Sequence, residues 1–150
     1  MANAQPHSDI LLRAAVPDDA QAIAAIDAEH TGVEKVLHWR GLLTGCRDNG
    51  GLALVAEQDG DVIAYIVGEV RAWEFGSPPT GWIYAVGVAP RSQGHAVGRR
   101  LVDAAREHFA ALGVSSLRTM VRRENVELLR FFRSSGFIAG PFVELEVDCD

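Results

Sequence analysis

Apolar and polar positions along this chain alternate in two rhythms, and their succession predicts an α/β order. Ile10 to Ala14 reads as a strand. Pro17-Asp18-Asp19 then opens a helix, with Ile23 and Ile26 on its inner face. Gly32 to Gly45 reads as a second, less regular helix carrying His38 and Trp39. Leu52 to Glu57 and Val62 to Trp73 read as strands joined at Asp59-Gly60, a strong hairpin pair. Phe75 to Gly81, with Pro78-Pro79, is a loop, and Trp82 to Val88 is an apolar, buried strand. A helix from near Gly98 to about Leu112 places Leu101, Val102, Ala105, Phe109 and Leu112 on one face. Leu117 to Val121 is a strand, Glu124 to Ser134 a helix and Phe142 to Val147 a last strand. The expected order is β-α-α-β-β-β-α-β-α-β.

Composition narrows this to one folded domain over residues 1–150, because 48% hydrophobic residues can build one core and neither repeat nor linker divides the chain. Residues 1–8 carry no apolar pattern and are expected to be flexible. Asp and Glu outnumber Lys and Arg by 20 to 14, a formal charge of −6, which argues against a general nucleic-acid binder. No stretch approaches membrane-spanning length, and the start resembles no secretory signal, so a cytoplasmic location without a membrane partner is expected. Cys46 and Cys149 are isolated and match neither a disulfide framework nor a metal spacing.

The segment that follows the apolar strand carries the chemistry. Val88-Ala89-Pro90-Arg91-Ser92-Gln93-Gly94-His95-Ala96-Val97-Gly98 is a loop of small and basic residues opening a helix. First-turn N–H groups lack intrahelical partners and point outward, so a phosphate satisfies several at once. The P-loop pattern of a second glycine followed by Lys and Ser or Thr is absent, and Gly94 and Gly98 do not fit the dinucleotide spacing. Gln93-Gly94-His95-Ala96-Val97-Gly98 resembles the pyrophosphate-binding signature Q/R-x-x-G-x-G/A of the GNAT superfamily of N-acetyltransferases, preceded by the family's V-x-P. Ala96 departs from it, standing where glycine is usual. A second stretch, Val121-Arg122-Arg123-Glu124-Asn125 followed by Phe131-Phe132 and Gly136-Phe137, resembles the second GNAT signature. The element order matches the family across nearly the whole chain, implying a mixed, mostly antiparallel sheet flanked by helices.

The resemblance implies acetyl-CoA as co-substrate, with no metal, and transfer of the acetyl group to a primary amine of a small molecule or protein by direct attack. It implies that the strand at Val86-Gly87-Val88 bulges, with Gly87 suited to the irregularity, and that its freed backbone groups pair with the pantetheine arm and polarise the thioester carbonyl. It places the diphosphate at Gln93, Gly94, His95, Ala96, Val97, Gly98 and Arg99. His95 and Arg99 either add charge there or are solvated surface groups. Asn125 either touches the pantetheine or caps the following helix. Phe132 belongs with the cofactor-binding residues, at the place where many members carry a tyrosine acid. Tyr84 falls where many relatives carry a glutamate base; regular alternation would put it on one face with Trp82, Val86 and Val88. It is either a proton-handling group or a core aromatic. Glu69 either pairs with Arg71 or acts as a base. Glu34, His38 and Trp39 lie in the region that shapes the acceptor pocket in the family. The terminal apolar strand predicts edge pairing as a homodimer. Two other readings stay open: an acyl-CoA-binding sensor without turnover, and a nucleotide-binding α/β module.

Overall fold

The computed structural model describes residues 9–46, 48–94 and 96–150. The chain falls into two compact units, residues 1–120 and 121–150. The first unit carries a five-stranded sheet in the order β1 to β5, formed by Leu11–Ala14, Leu52–Gln58, Asp61–Arg71, Thr80–Val88 and Leu117–Arg118. The first three pairings are antiparallel and β4 to β5 is parallel, giving the expected mixed, mostly antiparallel α/β architecture. Helices α1 (Ala20–Thr31), α2 (Val36–Gly45) and α3 (Val97–Ala111) belong to the same unit.

Each helix covers the sheet through the apolar stripe that its spacing creates. Ile23, Ala24 and Ile26 of α1 and Trp39 and Leu43 of α2 form one buried cluster with Val55, Tyr65 and Val67 of the sheet. Leu101, Val102, Ala105 and Phe109 of α3 are buried against the opposite face. Trp39 is 2% exposed, and truncating a tryptophan so enclosed costs about 3–5 kcal/mol. Gly32 ends α1 in the left-handed conformation (φ 76°), and its N–H donates to the Ala28 carbonyl at 2.7 Å.

Arg13 ties β1 to the entrance of α1. Its guanidinium donates to both carboxylate oxygens of Asp19, at 2.8 and 2.9 Å, and to Glu57 of β2 at 2.7 Å. Asp19 also accepts the Val16 N–H at 2.8 Å, which fixes the turn of Pro17–Asp19 that precedes the helix. The Arg13 hydrogen bonds hold the Asp19 carboxyl below its ordinary value of 3.8, against the opposing effect of burial.

Two strand expectations are corrected. The stretch Leu117–Val121 pairs only as Leu117–Arg118, because β5 meets β4 only at Gly81 and Trp82. No strand forms at Phe142–Val147, so the observed order ends on a helix. Val143, Leu145 and Val147 are 75%, 89% and 86% exposed. Alternating apolar residues make a strand only where a neighbour accepts the backbone hydrogen bonds. The strand expected to pair across a homodimer is therefore not formed. In the second unit, α4 (Val126–Ser134) stacks Phe132 between Phe131 and Phe137, with ring centroids at 5.1 and 5.0 Å.

Asp19→Asn is expected to lower stability by about 2 kcal/mol at pH 7, because a charge-assisted pair is replaced by a neutral one. A carboxyl whose folded value is depressed stabilises fully above its ordinary value and loses that contribution as pH falls below it. The gap between wild type and variant should therefore begin to narrow below about pH 4. Urea unfolding at pH 7 and pH 3 checks both statements.

Candidate active site

Strand β4 contains one residue more than the stretch of β3 it faces. Val67 pairs with Ala85 and Gly68 with Ile83, which leaves Tyr84 without a partner. The irregularity expected at Val86-Gly87-Val88 therefore lies earlier in the strand. Gly87 is regularly paired opposite Tyr65, and its hydrogen is required for space: a Cβ there would lie 2.5 Å from Cε1 of the Tyr65 ring. The extra residue also breaks the expected sharing of faces. Val86 and Val88 pair with Ile66 and Ala64, on the side away from Tyr65 and Val67, whereas Tyr84 turns toward α2.

Tyr84 is half exposed and so is not a core aromatic. Its ring meets the buried Trp39 edge-on at 6.3 Å, and its hydroxyl lies 3.1 Å from Nε2 of His38. Trp39 is itself held by Asp27, whose carboxylate accepts from the indole N–H at 3.4 Å and pairs with Lys35 Nζ at 3.0 Å. Together with Glu69, Tyr84 lines a cavity of about 340 Å³. Leu42, Cys46, Asp48 and Arg71 line it too. Glu69 is paired: Arg71 Nε donates to it at 2.9 Å, while the same guanidinium lies 4.7 Å above the Trp82 ring. Burial, and then the charge of Glu69, push the Cys46 thiol up.

Past Val88 the chain makes a short turn at Pro90–Ser92 and enters α3. Gln93 Nε2 donates to the Val88 carbonyl at 3.4 Å. Ala96 precedes the helix with φ at 59°, and its carbonyl accepts the Arg100 N–H at 3.2 Å. No side chain caps this helix start among the described residues. Val97 and Gly98 are buried, while Gln93, Gly94, Ala96 and Arg99 are exposed. His95 lies outside the described residues. In the second unit, Asn125 caps α4, its side chain accepting the Leu128 N–H at 3.1 Å, and Phe132 is 4% exposed.

The sequence named Tyr84 and Glu69 as separate candidates; the structure brings both to one cavity and adds Cys46, Asp48 and Leu42 beside them. Those three sit around the irregular end of α2 and carry no motif. Nor did sequence reasoning find Asp27, whose isolated carboxylate on an apolar helix face is the one signal of a buried polar contact. Glu34 falls before the start of α2. Among the described residues, no group of three or more His, Cys, Asp or Glu could hold a metal ion, and no helix is long and apolar enough to cross a membrane.

The architecture is that of the acyl-transferase fold defined by solved relatives. It is similar to the aminoglycoside N-acetyltransferase AAC(6')-Iy in complex with CoA, with a TM-score of 0.83 at 13% identity and full coverage of both chains. It is likewise similar to AAC(6')-Ih from Acinetobacter baumannii, with a TM-score of 0.78 at 13% identity over 95% of this chain and 100% of that one. Residues 14–137 match the Acetyltransferase (GNAT) family, and the chain belongs to that family. It is 30% identical over 122 residues to the L-2,4-diaminobutyric acid acetyltransferase of Nocardia farcinica, covering 81% of this chain and 61% of that protein. It is 36% identical over 89 residues to the mycothiol acetyltransferase of Kocuria rhizophila, covering 59% of this chain and 29% of that protein. The chain thus spans only part of the length of these curated relatives.

The left-handed backbone at Ala96 strains any residue with a Cβ, and glycine adopts it without that strain. Ala96→Gly is expected to raise stability by about 1 kcal/mol. The melting temperature should rise by roughly 2–4 °C, read by calorimetry.

Proposed function

We propose that this protein transfers an acetyl group from acetyl-CoA to a primary amine of a small molecule or protein, by direct attack of the amine. The observation that carries this reading is the path of β4. Beyond Trp82 its β5-side edge has no strand partner among the described residues, and the strand runs on into the uncapped N-terminus of α3. A bare strand edge offers N–H and C=O groups to the amides of a pantetheine arm. The first-turn N–H groups beyond Ala96, which no side chain caps among the described residues, favour a diphosphate together with the helix dipole. The donor set therefore fits the co-substrate.

In this reading the backbone of Tyr84 to Val88 holds the pantetheine, and Gln93, Gly94, Ala96, Val97, Gly98 and Arg99 surround the diphosphate, His95 being assigned by motif alone. Bound acetyl-CoA supplies an acyl group already activated as a thioester. Asn125 acts as the helix cap that orders α4, and Phe132 contributes a packed ring rather than a proton. The cavity beside Tyr84, Glu69 and Arg71 takes the acceptor. A carboxylate and a guanidinium at its rim, held together, favour an amine of modest size with both charged and polar groups. The names of the relatives, diaminobutyric acid and aminoglycoside acetyltransferases among them, are in keeping with such an acceptor. Cytoplasmic acetyl-CoA makes the cytoplasm the fitting location.

Thiol release from acetyl-CoA tests this with L-2,4-diaminobutyrate, an aminoglycoside, spermidine and a peptide with a free N-terminus. Turnover with at least one is expected. Acetyl-CoA binding without turnover would instead identify a sensor, and tighter binding of a nucleotide than of CoA would identify a nucleotide module. Gly98→Asp puts a side chain and a like charge at the buried first turn of α3 and is expected to abolish acetyl-CoA binding by calorimetry. Normal binding by a folded Gly98→Asp protein would remove the diphosphate from this loop.

A further inference from the structure

An amine that is protonated at neutral pH must lose a proton before it can attack, and the cavity lining offers few acceptors for it. Glu69 is held by Arg71 at 2.9 Å, so its more accessible charge is already shared. The Cys46 thiol is pushed up by burial and stays protonated. Asp48 is exposed, its charge open to water. The remaining arrangement is a pair contributed by two elements, Tyr84 of β4 and His38 of α2, joined at 3.1 Å between the phenol oxygen and Nε2.

We propose that Tyr84 and His38 act as a two-member proton relay, in which His38 takes up, through the Tyr84 hydroxyl, the proton that the acceptor amine loses. This rests on the acetyl-transfer reading above. The step balances. An ammonium N–H donated to the Tyr84 oxygen breaks as a new O–H forms, and the original phenol O–H breaks as an N–H forms on His38 Nε2. The products are a neutral amine, an unchanged phenol and an imidazolium. His38 is exposed, so the proton passes from it to water. The relay uses the histidine tautomer with its proton on Nδ1, leaving Nε2 as the acceptor.

Three features of the fold place the pair for this task. Tyr84 is the extra residue of β4, and its ring lies on the sheet face that meets α2. Trp39 clamps the Tyr84 ring at 6.3 Å and the His38 ring at 5.6 Å, so one buried indole positions both members. Tyr84 lines the cavity, and it belongs to the same strand whose open edge begins at this point. The acceptor site and the thioester site therefore share a residue. Tyr84 is the catalytic member, since it would touch the amine, and His38 acts through it.

The test uses the full chain, acetyl-CoA and whichever amine of the panel above is acetylated fastest. Tyr84→Phe and His38→Ala are each expected to lower kcat by roughly 10- to 100-fold, with KM changed by less than about threefold. The double variant should be no slower than the slower single variant, because the two groups act as one unit. Added imidazole should restore part of kcat to His38→Ala and none to Tyr84→Phe. A merely structural loss would not respond to imidazole. His38→Gln replaces His38→Ala if the alanine variant does not fold, and calorimetric acetyl-CoA affinity verifies that each variant keeps its donor site. Losses that multiply in the double variant, losses confined to KM, or absence of imidazole rescue would overturn the relay while leaving acetyl transfer intact. Failure of the wild-type protein to acetylate any amine would overturn both.

Discussion

A single surplus residue in β4 governs the geometry on which the proposed chemistry depends. Where Val67 faces Ala85 and Gly68 faces Ile83, the backbone at Tyr84 has no partner and the strand changes face. The strands β4 and β5 meet at two residue pairs, and beyond Trp82 no strand pairs with that edge among the described residues. The bulge is stable because the residues after it are locked. The Tyr65 ring fills the space beside Gly87, so the register there cannot slip without a clash.

The helix that faces the bulge is held by buried charge. Asp27 is 9% exposed, which would be costly for an unpaired carboxylate, but Lys35 and the Trp39 indole both bind it. Satisfying that carboxylate fixes the orientation of Trp39, which then touches Tyr65 at 5.2 Å and Tyr84 at 6.3 Å. The Arg13, Asp19 and Glu57 set performs the same service at the other end of α1. Both sets bind acids and bases of the α1 and α2 region into the scaffold. The site is left with a tyrosine and a histidine that are positioned but remain open to solvent.

The phosphate loop shows how family pattern and backbone physics meet. Ala96 stands at a left-handed position that glycine adopts without strain, so the departure from the usual motif is tolerated at a conformational cost rather than through a steric block. The side chain at 96 is exposed, and the buried residues at the helix start are Val97 and Gly98.

Much of this protein was already determined along the chain. The strand and helix periods placed every helix and the four longer strands within a few residues, and Asp59-Gly60 marked the hairpin, because these depend on neighbours in sequence. The loop from Gln93 to Gly98 likewise announced its chemistry, since an anion at a helix start needs only local backbone and small residues. Tertiary structure decided what depends on partners. Phe142–Val147 has strand alternation but no ladder, and Leu117–Val121 is a strand only as far as β4 stays beside it. The faces of Val86 and Val88 could not be read from alternation with Tyr84, because one unpaired residue inverts the parity of everything after it. Glu69 and Arg71 met as the spacing allowed. His38 and Tyr84 stand 46 positions apart, and only the packing of α2 across the bulge brings their polar atoms within hydrogen-bonding distance.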